Sequence, residues 1–180
     1  GFIEEVVLKG KDKRGNIFSQ SDVVTVYNLD FCNSLTVPLE ITDDDGNIEK
    51  KYKTDAICKL LELQRDLVKD RFKKKFIMFL TIHSQFWEDE AKKIFNNTDS
   101  IFLNYIKDIN SLKREDKILR LLKASVIKII GDHFSSRKFI PDFLPTIYYK
   151  GIGGNNLLCF TIIGTFQDST SSTSKSNQNI

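Results

Sequence analysis

Val23-Val24-Thr25-Val26-Tyr27-Asn28-Leu29-Asp30-Phe31 is rich in β-branched and aromatic residues and nearly continuous rather than alternating. That is the composition of a strand covered on both faces, and such strands usually belong to parallel sheets. A second run of the same kind is Phe76-Ile77-Met78-Phe79-Leu80-Thr81-Ile82. Between the two, Ile57, Leu60, Leu61, Gln64, Leu67 and Val68 recur at helical spacing. Thr54 or Asp55 is placed to cap the first turn, and Lys69 and Arg71 lie near the last. Strand, helix, strand in this order predicts a right-handed parallel crossover, and this β-α-β unit is the centre of the expected architecture.

Working outward, Ile3 to Lys9 reads as a strand leading into the polar turn Lys11–Asn16 and on to Ile17 and Phe18. Thr36 to Lys53 holds Pro38 and the turn Asp43-Asp44-Asp45-Gly46-Asn47 between two short extended pieces, a surface excursion of hairpin type. The triple aspartate does not fit an EF-hand, because glycine at the sixth position would make Ile41 the first ligand. Amphipathic helices are expected around Phe86–Phe95, over Asp99–Ile109 and over Lys113–Ile130, the last ended by Gly131. Leu144–Lys150 and Leu157–Phe166 flank Gly151-Ile152-Gly153-Gly154-Asn155-Asn156 as a closing antiparallel hairpin. Residues 167–180 form a Ser/Thr-rich tail with almost no apolar surface to bury, expected to be disordered. The expectation is a single α/β domain over 1–166: a parallel-core sheet with a β-α-β unit, helices on both faces and a closing antiparallel C-terminal hairpin.

A chain of 180 residues is long enough to bury a core without disulfides or a structural metal. Cys32, Cys58 and Cys159 are an odd, widely separated set inside apolar runs, which points to reduced thiols in a reducing compartment. Glu4 and Glu5 interrupt the N-terminal segment, and the apolar stretches are too short to span a bilayer, so the expected location is cytoplasmic, with no membrane partner. The net charge of +3 is too small to signal nucleic acid by itself. Basic clusters at Lys50, Lys51 and Lys53, at Arg71 and Lys73–Lys75, and along Lys113, Arg114, Lys117, Arg120, Lys123 and Lys128 suit either a solvated face or contact with phosphates.

In open α/β sheets ligands bind beyond the carboxyl ends of the parallel strands. The first strand ends Asn28-Leu29-Asp30-Phe31-Cys32-Asn33 and the second Thr81-Ile82-His83-Ser84-Gln85-Phe86-Trp87. At a strand spacing of about 4.8 Å, Asp30 and His83 come within reach of one another for general acid/base work. Each also has a plainer reading, as a turn residue and as a surface histidine. His133 is expected in a polar loop with Ser135 and Ser136 and is not a catalytic candidate. Gly151, Gly153 and Gly154 lie between strands, where no helix N-terminus awaits a phosphate. Two distant histidines and three scattered cysteines provide no metal site. A nuclease reading with Asp30, Glu49 and Lys51 needs strand character that the polar Glu49–Lys51 stretch lacks.

From about Asp22 to Phe166 the chain resembles the second half of a class I, Rossmann-like S-adenosylmethionine-dependent methyltransferase. The matching order is a strand ending in a short polar motif, a helix, a buried strand, further helices, then a hairpin whose last strand inserts antiparallel. Amino-methylating members carry Asn or Asp, two prolines and an aromatic residue after the fourth strand, and Asn28-Leu29-Asp30-Phe31 falls there without either proline. The resemblance implies methyl transfer to an acceptor of unidentified kind, nucleic acid included, with Asn28, Asp30 and His83 as catalytic residues and Phe31 and Trp87 as substrate contacts. It also implies S-adenosylmethionine as cofactor. The family's glycine-rich cofactor loop has no counterpart here; either an upstream segment or partner chain supplies it and completes the fold, or the chain is not a working methyltransferase. The rival function is a noncatalytic module that binds nucleic acid or protein through the Lys/Arg-bearing helix faces.

Overall fold

The computed structural model describes residues 3–21, 23–31, 35, 37–43, 45–68, 74–83, 111, 113–150 and 156–167. Within them lie helices α1 (Ile3–Lys9), α2 (Lys53–Leu67) and α3 (Arg114–Ser136). The strands are β1 (Val26–Asp30), β2 (Leu39–Thr42), β3 (Ile48–Lys51), β4 (Lys75–His83), β5 (Phe139–Phe143), β6 (Ile147–Lys150) and β7 (Asn156–Phe166). One sheet has the order β1-β4-β7-β5, with β6 also pairing β7, while β2 and β3 form a separate hairpin. β1 and β4 are parallel, from Val26 opposite Ile77 to Asp30 opposite Thr81, as the strand-helix-strand pattern predicts. β7 is antiparallel to β4 on one side and to β5 and β6 on the other. β1, β4, β5 and β6 therefore run one way and β7 the other: a mixed α/β fold on a mixed sheet.

Burial in β1 and β4 alternates, with Leu29 and Met78 at 3% and 0% exposure against 51% for Val26 and 37% for Ile77. Coverage of both faces is thus not found among the described residues, where the side chains of all three helices join a single core on one face. β-branched and aromatic residues favour extended backbone whether one side is covered or two, so composition overstated burial. The helices expected at Phe86–Phe95 and Asp99–Ile109 lie outside the described residues.

Three further expectations change. Ile3–Lys9 is a helix, with Glu4 and Glu5 in its first turn and Lys9 in its last, which complements the helix dipole, and Val7 reaching the core. α3 does not stop at Gly131: Leu122, Val126, Ile130 and Phe134 form a buried stripe at helical spacing that carries it on to Ser136. It ends where Lys138 takes a left-handed φ of 66°. The final sheet edge holds β5, unannounced because Pro141 lies inside it, yet proline is tolerated on an edge strand. Phe143 faces Ile162 and Ile147 faces Cys159, so residues 144–146 occupy the space of 160–161. That extra residue makes a bulge around Pro145 and splits one edge into β5 and β6.

α2 starts where the Asp55 carboxylate accepts the Tyr52 N–H at 2.7 Å. Its Ala56, Ile57, Leu60 and Leu61 pack over Leu29, Met78 and Leu80, while Phe76 anchors the far end of the core among aromatic rings. Phe76 meets Tyr27, Phe134 and Phe139 at centroid distances of 5.5, 5.6 and 5.2 Å. This cluster is possible because residue 164, opposite Phe76 on β7, is glycine; a Cβ there would overlap the Phe76 ring and stand 3.0 Å from Phe134.

Candidate functional site

Residues two apart on an extended strand share a face, so Asn28 and Asp30 project on the same side of β1. Asn28 stands beside Phe79 and Asp30 beside Thr81, which puts His83 on that face as the diagonal neighbour of Asp30. Cα atoms in that diagonal relation are roughly 8 Å apart, a span one bound group can bridge. Asn28 and Asp30 are exposed and His83 is half-buried. The three candidate catalytic residues therefore share the face of the sheet opposite the core, and Asp30 and His83 are the last residues of the adjacent parallel strands β1 and β4 while Asn28 lies mid-strand. Phe31 is different: its ring is 1% exposed within the core and its N–H donates to the Thr81 carbonyl at 2.9 Å. It fixes the strand end rather than presenting a surface. Trp87 and Cys32 lie outside the described residues.

Beside β1, on the side away from β4, is a groove of about 420 Å³ lined by Ile3, Phe18, Val24, Val26 and Leu60. One side chain organises its floor. The fully buried Gln64 carboxamide oxygen accepts the Gln20 amide at 3.0 Å, the Val24 N–H at 2.9 Å and the Tyr27 hydroxyl at 3.0 Å, and its NH₂ donates to the Val24 carbonyl at 2.8 Å. Burial pushes the Tyr27 phenol up to about 12, so it stays protonated and donates. Sequence reading took Gln64 as part of an apolar stripe. The signal was there, since a glutamine at a core position of a helix needs buried partners.

Between α2 and α3, two rungs one helical turn apart join the helices. Cys58 Sγ lies 3.1 Å from His133 Nδ1, and Arg137 donates twice to one Glu62 oxygen, at 3.2 and 2.9 Å. Burial raises the Cys58 thiol and, with Arg137 nearby, lowers His133, so at neutral pH both are uncharged and the contact joins a thiol to a neutral imidazole. A thiol held protonated in this way is a packing contact rather than a poised nucleophile. His133 thus belongs to a helix and not to a loop, and no spacing in the sequence links it to Cys58.

The Asp43 carboxylate accepts the N–H groups of Asp45 and Asn47 and the Asn47 side-chain amide, which holds its pKa below the usual range. Asp12 does the same with Arg14 and Asn16. Both aspartates close their own turns. Among the described residues there is no group of three or more His, Cys, Asp or Glu that could hold a metal ion, and no helix long and apolar enough to cross a membrane. Of the basic residues on α3, Lys128 pairs with Asp132 at 3.1 Å. Compared with protein-family models, curated proteins and solved structures, the chain matches none.

Proposed function

We propose that the chain is the acceptor-side part of a cytoplasmic, Rossmann-like S-adenosylmethionine-dependent methyltransferase, holding an amino group, of nucleic acid or another acceptor, over the open face of β1 and β4. The observation that carries the reading is the sheet order β1-β4-β7-β5 with β7 antiparallel between strands of opposite direction. That closing arrangement is the one the family resemblance implies, and it is a fold-level analogy. The residues described do not fit the cofactor itself: the glycines with positive φ are Gly10, Gly15 and Gly46, none of them in a strand-to-helix turn facing the open site. The cofactor therefore belongs to a part of the enzyme other than these residues.

The roles of the site residues follow from their side chains. The Asn28 carbonyl oxygen and the Asp30 carboxylate accept N–H hydrogens, which orients an amino group and disperses positive charge developing on its nitrogen. His83, next along the same face, is placed to take the released proton. The test is methyl transfer by the complete gene product carrying Asn28→Ala or Asp30→Ala, with S-adenosylmethionine affinity measured separately. Each change is expected to lower turnover on the order of 10²-fold with a smaller effect on cofactor affinity. Unchanged transfer in both variants, or no cofactor binding by the unmodified protein, rejects the assignment.

A further inference from the structure

The chain makes the same turn twice. Asp12-Lys13-Arg14-Gly15-Asn16-Ile17 and Asp43-Asp44-Asp45-Gly46-Asn47-Ile48 share Asp, Gly, Asn and Ile at the same spacing. In each, the aspartate carboxylate accepts the N–H two residues on, the N–H four residues on and the asparagine side-chain amide, and the glycine takes a φ of 83° or 85°. The frames agree and the charges are opposite, with Lys11, Lys13 and Arg14 in the first stretch and Asp43, Asp44 and Asp45 in the second. Where these stretches adjoin α1 there are two clefts, of about 240 and 200 Å³. Lys9, Lys11 and Thr42 line both, and Lys13 lines the larger. Thr42 is the exposed last residue of β2. Its hydroxyl-bearing side chain thus stands in lysine-lined space, and most of the carboxylates there are already engaged. Asp12 and Asp43 close their own turns, and Glu49 pairs with Lys51 at 2.8 Å, which leaves Glu5 of those lining the clefts.

We propose that Thr42 is a phosphorylation site whose phosphate is taken up by Lys9, Lys11 and Lys13, fastening the β2–β3 hairpin to α1 and the first turn. The run Asp43-Asp44-Asp45 marks the hydroxyl for a protein kinase that selects its target by acidic residues just after it. In the transfer, Thr42 Oγ attacks the γ-phosphorus of a nucleoside triphosphate, the bond to the departing nucleoside diphosphate breaks, and the hydroxyl proton passes to the kinase's base. The product carries a charge of about −2 and three strong acceptor oxygens, which ammonium groups can neutralise and bond. Access follows from the topology. β2 and β3 form a two-stranded hairpin of four residue pairs, separate from the main sheet. A two-stranded hairpin is marginal by itself, so local opening presents Thr42 to an enzyme in extended form and the phosphate then opposes further opening. The inference stands apart from methyl transfer, since Asn28, Asp30 and His83 take no part in it.

The test incubates the chain with adenosine triphosphate and an acid-directed Ser/Thr protein kinase, maps the phosphate by mass spectrometry, and compares thermal unfolding before and after. Phosphate is expected on Thr42, and Asp45→Lys, which keeps the N–H that closes the turn, is expected to slow its addition on the order of tenfold or more. Tm of the modified chain is expected to rise by roughly 2–6 °C, the effect of one to about three new charge-assisted hydrogen bonds, and to rise less at high salt. Thr42→Val is expected to remove both the phosphate and the rise. Lys9→Gln with Lys13→Gln is expected to keep the phosphate and lose the rise. A peptide of residues 37–50, which has no fold to open, reads the sequence alone. A peptide that is modified while the chain is not overturns the proposal, because the hairpin then withholds Thr42 from the enzyme. Modification of neither, phosphate confined to residues 167–180, or a Tm that stays or falls overturns it as well. So does a rise in Tm that survives the loss of Lys9 and Lys13.

Discussion

Replacing Gln64 by leucine keeps the volume of the side chain and removes four hydrogen bonds from the floor of the β1 groove. The cost can be worked from the partners left behind. The Val24 N–H and carbonyl lose contacts of 2.9 and 2.8 Å, and an unsatisfied buried backbone group costs about 1–3 kcal/mol. Val24 is only half-buried, so water recovers part of this and the low end applies to each group. The Tyr27 hydroxyl keeps an acceptor in the Gln20 side-chain Oε1 at 3.2 Å, so it adds little. The sum is about 2–3 kcal/mol, and at roughly 2–4 °C per kcal/mol for a domain of this size Tm should fall by about 5–10 °C. Urea titration should show a lower midpoint with an unchanged slope, since the surface exposed on unfolding is the same. Val24 should lose amide protection while Leu29, held by β4, keeps it. A loss below about 0.5 kcal/mol, or unaltered exchange at Val24, would mean that Gln64 does not pin the segment before β1.

Gly164→Ala drives a methyl group into the Phe76 ring and should cost about 1–3 kcal/mol in urea denaturation, with Phe76→Leu in the same chain recovering part of the loss as non-additive coupling; strict additivity would refute the close approach. The Cys58–His133 pair gives a stability optimum in pH. His133 is lowered below its ordinary 6.5, so as pH falls through that value the unfolded chain takes up a proton that the fold resists, and stability drops. Cys58 is raised above 9.0, so stability drops again as pH rises through that value. Midpoints measured across this range should therefore plateau between them, and Cys58→Ser with His133→Gln should weaken both limbs; unchanged limbs in the double variant would assign the dependence to other groups.

The legibility of this fold divides along a physical line. The β1-α2-β4 unit could be read because its information is local: β-branched runs favour extended backbone and the stripe Ile57, Leu60, Leu61 has helical period. Likewise Asn28, Asp30 and His83 stood out because polar residues interrupt apolar runs where strands end, and register then places them on one face. What was misread depends on neighbours distant in the chain. Pro141 forbids a central strand and permits an edge one, and nothing within Phe139–Phe143 says which side of β7 it will occupy. Gly131 looks like a stop until Phe134, one turn from Ile130, finds Phe76 and Phe139 to pack against.

The face on which the candidate residues lie carries the last consequence. Composition suggested two covered faces, and the described residues supply a helical layer for one. The opposite face presents Val26, Asn28 and Asp30 along β1, with Ile77 beside Val26 and Phe79 beside Asn28 on β4. Apolar side chains next to hydrogen-bond acceptors are what a planar, amino-bearing group requires, since its faces pack on the former while its N–H edge meets the latter. An acceptor held by Asn28 and Asp30 would thus rest against Phe79, which makes Phe79 the residue whose loss should weaken acceptor binding while leaving the hydrogen-bonding pair in place.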